Sequence, residues 1–376
     1  MTEPLSKIPS GLRYYWGQEA SLRRAIEEAA MSVFDGWSYE EITTPTIDYY
    51  SLFERGMGAS EAERAFRFTD ADGRLLAMRP DVTSGIARAA ATLFAKRNRP
   101  LRLCYAAPVF RLKGQSHAEW RRESVQIGCE LVGQNSPAAD MEVLAIATEA
   151  LGRLSLDRDY VITLNDVEVF NGVAESLGFD SDSRDQLRQL VDGRNSADLE
   201  QFLTSCASRE ECRAFSQLVR LSGKHETLDQ ARRVITNARS RAALDRLESL
   251  WGIIESLDVS DCFEIDLADV SRLDYYTGLT FKIYVEGAGA GVGSGGRYDN
   301  LIANFGKAEP AVGFMLDLDA LAGLLLSRNE GLTVTAQPER QAHNVMNNDE
   351  TALFREAIER RTQGERVAIN FSQVMP

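Results

Sequence analysis

The 376-residue chain is 44% hydrophobic and 26% charged, with a formal net charge of −14 at pH 7. This suits a soluble globular protein with room for one large domain and a smaller one. The acidic balance disfavours a nucleic-acid partner, because affinity for phosphates comes largely from Lys and Arg. No apolar run reaches the roughly 18 residues that would span a membrane.

Five cysteines, Cys104, Cys129, Cys206, Cys212 and Cys262, form an odd set without a Cys-x-x-Cys pair. They read as reduced thiols, and the opening MTEPLSKIPSGLRYYW lacks the charged-then-apolar pattern of a leader, so a cytoplasmic protein is expected. His117, His225 and His343 are scattered without metal spacing, and no metal site is expected.

Leu22, Ala25, Ala29 and Val33 recur at helical spacing and predict a helix over Glu19–Phe34, ended by Asp35-Gly36. WSYEEITTPTIDYYSLF then reads as a strand carrying Pro45. Proline cannot donate to a ladder, so this strand belongs at an edge or an interface. FRFTDADGRLLAM is a hairpin turning at Asp72-Gly73. Arg79-Pro80-Asp81-Val82-Thr83 opens a helix driven by Ile86, Ala89, Ala90 and Leu93, where Asp and Thr commonly satisfy free N–H groups. LRLCYAAPVFRLKGQSHAEWRRESVQIGCELVG gives two strands around a polar loop. Gln126 and Glu130 lie four apart on the return strand, so both point to one face.

Ser136–Gly152 reads as a helix and Tyr160–Asp166 holds a strand. The stretch from Val169 to Leu257 is almost all helical in its spacing. Phe263, Ile265 and Leu267 alternate with polar neighbours, as do Leu279, Phe281, Ile283 and Val285, and both runs predict strands. The glycine run Gly287–Gly296 reads as a hairpin turn or mobile loop. Its GVGSGG fits G-x-G-x-x-G, but no helix follows directly and the βαβ setting is missing. A strand through Ala311–Leu316 feeds a helix at Leu318–Leu326. The tail is polar apart from a helix over Thr351–Arg361 and a short strand, VAINF.

In order and spacing, LDYYTGLTF, GGRYDNL and AVGF resemble the closing half of a histidyl-tRNA synthetase catalytic core. The resemblance implies an α+β fold, the class II aminoacyl-tRNA synthetase-like antiparallel sheet with flanking helices, a helical insertion and a short C-terminal tail. The core would occupy 1–168 and 258–330, with the insertion at 169–257. Residues 331–376 fall well short of the roughly 100 residues of a typical domain, so no anticodon-binding domain is expected. The first helix, strand and Pro45 resemble motif 1, which forms the dimer interface in that family. Asp81 and Thr83 stand where the family meets the amino acid's ammonium group, Asp81 replacing a glutamate. Arg111 stands where a motif 2 arginine grips the α-phosphate of ATP. Gln126 and Glu130 match the pair that reads the imidazole, and Tyr275 and Tyr276 complete the histidine-facing group.

The same resemblance fails on the nucleotide side. The arginine that opens the R-G-L-D-Y-Y motif is Ser271, with Arg272 at the glycine position, where it would point to the other face. The G-L-E-R of motif 3 reads Asp317, Leu318, Asp319, Ala320, and Lys113 replaces a motif 2 acid. Amino-acid activation crowds negative charge and needs preorganised cations, each worth on the order of 3 kcal/mol. Two missing arginines and a misplaced acid would leave negligible activation.

A core of this kind is similar to the ATP phosphoribosyltransferase regulatory subunits. That likeness implies a chain that is not itself an enzyme, with no catalytic residues, cofactor or metal. Its partner would be the short-form catalytic subunit at the first step of L-histidine biosynthesis. It would form a dimer through Leu22–Tyr50 within a hetero-octamer, and L-histidine would be its feedback effector. The histidine-binding residues implied are Asp81, Thr83, Arg111, Gln126, Glu130, Tyr275 and Tyr276. Whether histidine sits there or at the junction with the partner is left open. The alternative is histidyl-tRNA synthetase or another ATP-dependent amino-acid-activating enzyme, and a third reading is a dimeric scaffold that binds neither ligand.

Overall fold

The computed structural model describes residues 6–112, 121–156, 159–193, 196–206, 215–217, 220–270, 275–328, 343–345, 350–365 and 367–369. Lys113, His117, Cys212, Ser271 and Arg272 lie outside them. The chain divides into two compact units, residues 1–330 and 331–376.

The first unit is built on a nine-stranded sheet. Its strands are β1 (Glu40–Glu41), β5 (Leu101–Phe110), β6 (Glu123–Val132), β7 (Tyr160–Asp166), β8 (Ser222–Gly223), β9 (Phe263–Asp266), β10 (Leu279–Val285), β11 (Gly293–Arg297) and β12 (Ala311–Asp317). Across the sheet the order is β1-β5-β6-β12-β11-β10-β7-β9-β8. From β5 to β7 every neighbouring pair is antiparallel.

One face of this sheet is apolar and covered by helices. The helix Gly17–Gly36 turns Ile26, Ala30, Val33 and Phe34 inward, and Phe34 meets Phe314 of β12 edge-on at 6.0 Å. Helices Pro137–Arg153 and Leu318–Ser327 pack beside it. This layer follows from the apolar spacing of each helix.

A second, three-stranded sheet runs β2 (Ile47–Tyr49), β4 (Leu75–Met78), β3 (Arg67–Thr69). The hairpin turns where expected: Asp70 Oδ1 accepts from the N–H groups of Asp72 and Arg74, and Gly73 takes a φ of +80°. Pro45 falls between β1 and β2, each the edge strand of its sheet, so the expected strand is broken in two around the residue that cannot donate.

The stretch 169–257, expected as an insertion, contains helices Ser181–Asp192, Ser196–Cys206, Glu226–Val234 and Ala238–Ser256. It is not purely helical: β8 leaves it to pair with β9 at the sheet's edge. Phe170, Leu187, Leu203 and Phe215 form its own buried cluster with Ala268 and Val270. Arg246 donates to Asp166, at the end of β7, at 2.8 Å. No helix among the described residues is long and apolar enough to cross a membrane.

The second unit pairs His343–Val345 in parallel with Val367–Ile369, beside a helix over Glu350–Thr362. The helix and the later strand match the sequence pattern; the earlier strand is too short to carry a period.

The glycine run corrects the sequence reading. Its first part is a turn, but Gly293–Arg297 is β11, an interior strand between β10 and β12. Glycine has low strand propensity, so pattern reading passes over it. Here packing overrides propensity. A Cβ at Gly295 would stand 2.5 Å from both the Phe281 ring and the Gly313 carbonyl oxygen, because the apolar helix-covered face closes over the strand. Gly295→Ala is therefore expected to cost about 1–3 kcal/mol through overpacking, read as a lower urea midpoint.

Candidate functional site

The opposite face of the sheet carries a cavity of about 590 Å³. Register explains its polarity. One row across the strands reads Leu103, Glu130, Gly313, Gly296, Thr280, Asn165; the next reads Tyr105, Gly128, Met315, Ser294, Lys282, Thr163. Successive strand residues point to opposite faces, so each alternating run that supplies the apolar core supplies this polar floor with its other half. All seven expected residues, Asp81, Thr83, Arg111, Gln126, Glu130, Tyr275 and Tyr276, line the cavity.

Glu130 lines it and is only 2% exposed. Thr83 Oγ1 donates to its Oε1 at 2.9 Å, and the Tyr298 hydroxyl donates to its Oε2 at 2.5 Å. Burial pushes the carboxyl up to about 8, against the pull of these hydroxyls, and the nearby Asp81 adds to the rise. The side chain can lie flat only because residue 313 is glycine: a Cβ there would be 1.7 Å from Glu130 Oε2. Such a carboxyl can accept from a ligand N–H. A cationic ligand would also draw its proton away, since an adjacent positive charge favours the ionised form.

Asp81 and Thr83 sit at the start of the helix Thr83–Ala91. Asp81 Oδ1 accepts from Ser84 N at 3.1 Å and Ser84 Oγ at 3.0 Å, so the acid caps the helix while it lines the cavity. Burial raises its carboxyl against these bonds and the Arg111 guanidinium. Arg111 follows β5 directly and donates from Nε to Pro80 O at 2.9 Å. Burial lowers its basicity, and so does Arg64; Asp81, Asp317 and Glu61 oppose this. Gln126 is buried on β6 opposite Asp317. Tyr275 meets Tyr276 edge-on at 4.8 Å and Tyr298 at 5.8 Å, giving an aromatic wall.

Several lining residues went unnoticed in the sequence, Arg64, Arg121 and Arg122 among them. Tyr298 lies inside GGRYDNL. Tyr105 faces Gly128, an aromatic opposite a glycine. Lys282 belongs to the polar half of a strand whose polar face would ordinarily be solvent; here it is the cavity wall.

The nucleotide side carries acids. Asp317 caps the helix Leu318–Ser327 by accepting from Ala320 N at 2.9 Å, and burial raises its carboxyl. Asp319 accepts from Arg23 at 2.7 Å, from Val125 N at 2.9 Å and from the Tyr15 hydroxyl. Burial opposes its ionisation, but Arg23 and Tyr15 more than offset this and hold it below the usual range. Ala320 lines the cavity with a methyl group. Among the described residues no cluster of His, Cys, Asp and Glu could hold a metal ion. Cys104 and Cys129 are buried free thiols, and Cys262 is a partly buried one.

Glu130 makes a pH prediction. The folded state keeps its proton up to about 8, whereas the unfolded chain loses it near 4.5. Between those values the folded state binds more protons, so stability falls as pH rises. Glu130→Gln should flatten this part of the curve of thermal midpoint against pH.

Comparison with known proteins agrees with this architecture. The family profile described as Histidyl-tRNA synthetase matches residues 11–321. The ATP phosphoribosyltransferase regulatory subunit of Moorella thermoacetica is 34% identical over 97% of this chain and 92% of its own length. That of Geobacter sulfurreducens is 36% identical over 85% of this chain and 73% of its own. A solved structure from Bacillus halodurans, described as an ATP phosphoribosyltransferase regulatory subunit/histidyl-tRNA synthetase, superposes with a TM-score of 0.85 at 26% identity, covering 98% of this chain and 93% of that one. The sheet, the cavity and these likenesses agree: the chain belongs to the histidyl-tRNA synthetase-like family, among the ATP phosphoribosyltransferase regulatory subunits.

Proposed function

We propose that this chain is the non-catalytic regulatory subunit of ATP phosphoribosyltransferase, partner of the short-form catalytic subunit at the first step of L-histidine biosynthesis. Its cavity is then the site of the feedback effector, L-histidine. The observation that carries this reading is the contrast within one cavity. The Glu130 carboxyl is held by Thr83 and Tyr298, while Asp317 and Ala320 line the part where the synthetase motif carries a glycine and an arginine.

In this reading an imidazole N–H donates to Glu130 between the walls of Tyr275, Tyr276 and Tyr298. Gln126, on the same face of β6, reads the imidazole with Glu130, and Asp81 takes the ammonium. Histidine shifts the complex only if it binds the inhibited assembly more tightly than the active one, and ligands of the catalytic subunit must then change histidine affinity by the same factor.

The subunit acts as a dimer through Leu22–Tyr50, within a hetero-octamer. Ile47 and Tyr49 of β2 and Phe68 of β3 lie on the outward face of the small sheet and are 40–47% exposed. A clustered apolar face of this kind commonly marks a protein interface.

The second reading is an amino-acid-activating enzyme, and the retention of Arg111 in the cavity is what favours it. Histidine-dependent exchange between pyrophosphate and ATP separates the two. No exchange above background is expected; robust exchange abolished by Arg111→Ala would establish the enzyme instead. In the complex with the catalytic subunit, Glu130→Ala with Gln126→Ala should raise the histidine concentration for half-inhibition by about 10- to 100-fold, the usual weight of charged hydrogen bonds. Undiminished inhibition would place the effector elsewhere.

A further inference from the structure

We propose that Lys282 is the residue that recognises the carboxylate of the amino acid bound in this cavity and so distinguishes amino acids from their decarboxylated or reduced analogues. The proposal rests on the cavity being an amino-acid site, as above.

The need for a paired cation comes from charge. Asp81, Glu130 and Asp317 all line the cavity, and burying a ligand carboxylate among them costs heavily without one. Of the lining arginines, Arg64 is paired with Glu61, Arg121 lies 3.8 Å from Asp319, and Arg122 follows it in the chain. Arg111 is poorly placed to supply the cation. Its Nε is fixed on Pro80 O, and it already lies in the field of Asp81, Asp317 and Glu61.

Lys282 stands on the other side. It projects from β10, three strands away from β6, which is about 14 Å at the usual strand spacing. The side chains of Glu130 and Lys282 both line the same cavity. Its neighbour across β11 is Ser294, and small residues there keep the floor low. Lys282 is ion-paired to Asp269, yet its side chain remains 36% exposed. Asp269 is in turn held by Thr163 Oγ1 at 3.2 Å, so the pair fixes the ammonium on the wall. Tyr276 joins the two ends. Burial raises its hydroxyl first, and the fields of Glu130, Asp81 and Asp269 add to that rise, so all three acids act on the phenol. An amino acid whose ring meets Glu130 can then pass along Tyr276 and present its carboxylate to Lys282. Lysine is suited to this as a compact, hydrated point charge on a flexible stem.

The test is calorimetric titration of the full-length protein with L-histidine, L-histidinol and histamine, the last two lacking the carboxylate. Wild type should bind histidine about 10- to 100-fold more tightly than either analogue. Lys282→Met should collapse that ratio by weakening histidine alone, and Lys282→Arg should restore most of it. Lys282→Met with Asp269→Asn removes both charges together, so discrimination can be read even if the single variant folds poorly; it too should lose the preference. An equal loss for all three ligands, or an unchanged ratio, would overturn the assignment while leaving the amino-acid site intact. Wild type that binds none of the three would overturn the site and the assignment together.

Discussion

A carboxyl group buried without a cation beside it is unusual, and Glu130 is satisfied instead by two hydroxyls. Removing water from a carboxyl is costly unless its oxygens are hydrogen-bonded. Each donor therefore has to be fixed by something else. Thr83 is set by the helix that Asp81 caps, and Tyr298 by the chain leaving β11, where Arg297 is tied to Asp140, Asp299 and Gln134 O. Gly313 supplies the space beneath. The cavity is thus a consequence of holding one acid in a dry place, and a ligand N–H would find there an acceptor already stripped of its water.

The same physical terms treat the two ends of the cavity differently. At the Glu130 end, burial dominates and the acid is kept largely neutral near pH 7. Next to the cavity-lining Asp317 and Ala320, Asp319 accepts from Arg23, Tyr15 and a backbone N–H and stays ionised. An arginine spent on Asp319 is not available to a phosphate. Arg64, Arg111, Arg121, Arg122 and Lys282 still line the cavity, beside Glu61, Asp81, Glu130 and Asp317.

Much of this was legible in the sequence. The alternating strands, the helix over Glu19–Phe34, the Asp72-Gly73 turn and the same-face pairing of Gln126 with Glu130 each follow from one local rule. β11 was not legible, since Gly-Ser-Gly-Gly has no side chains to alternate, and its strand character comes wholly from β10 and β12. Lys282 was hidden for a different reason. Alternation tells which residues share a face, but not whether a polar face meets bulk water or an enclosed cavity; only the chain that folds over it decides that. Tyr15 and Arg23 could not be linked to Asp319 by any spacing rule, because their contact is a matter of tertiary closure.

That closure has a consequence for how the protein is made. Arg23 and Asp319 are 296 positions apart in the chain, and Phe34 waits for Phe314 in the same way. The first helix leaves the ribosome long before β12 and the helix Leu318–Ser327 exist, although β5, β6 and the helix Pro137–Arg153, which it also meets, follow sooner. At ordinary synthesis rates of about 5–20 residues per second, that interval is tens of seconds at the slow end. Until it ends, the apolar face of that helix is only partly covered, and Phe34 lacks its ring partner, so the nascent chain has a period in which a chaperone would find a sticky amphipathic segment to hold.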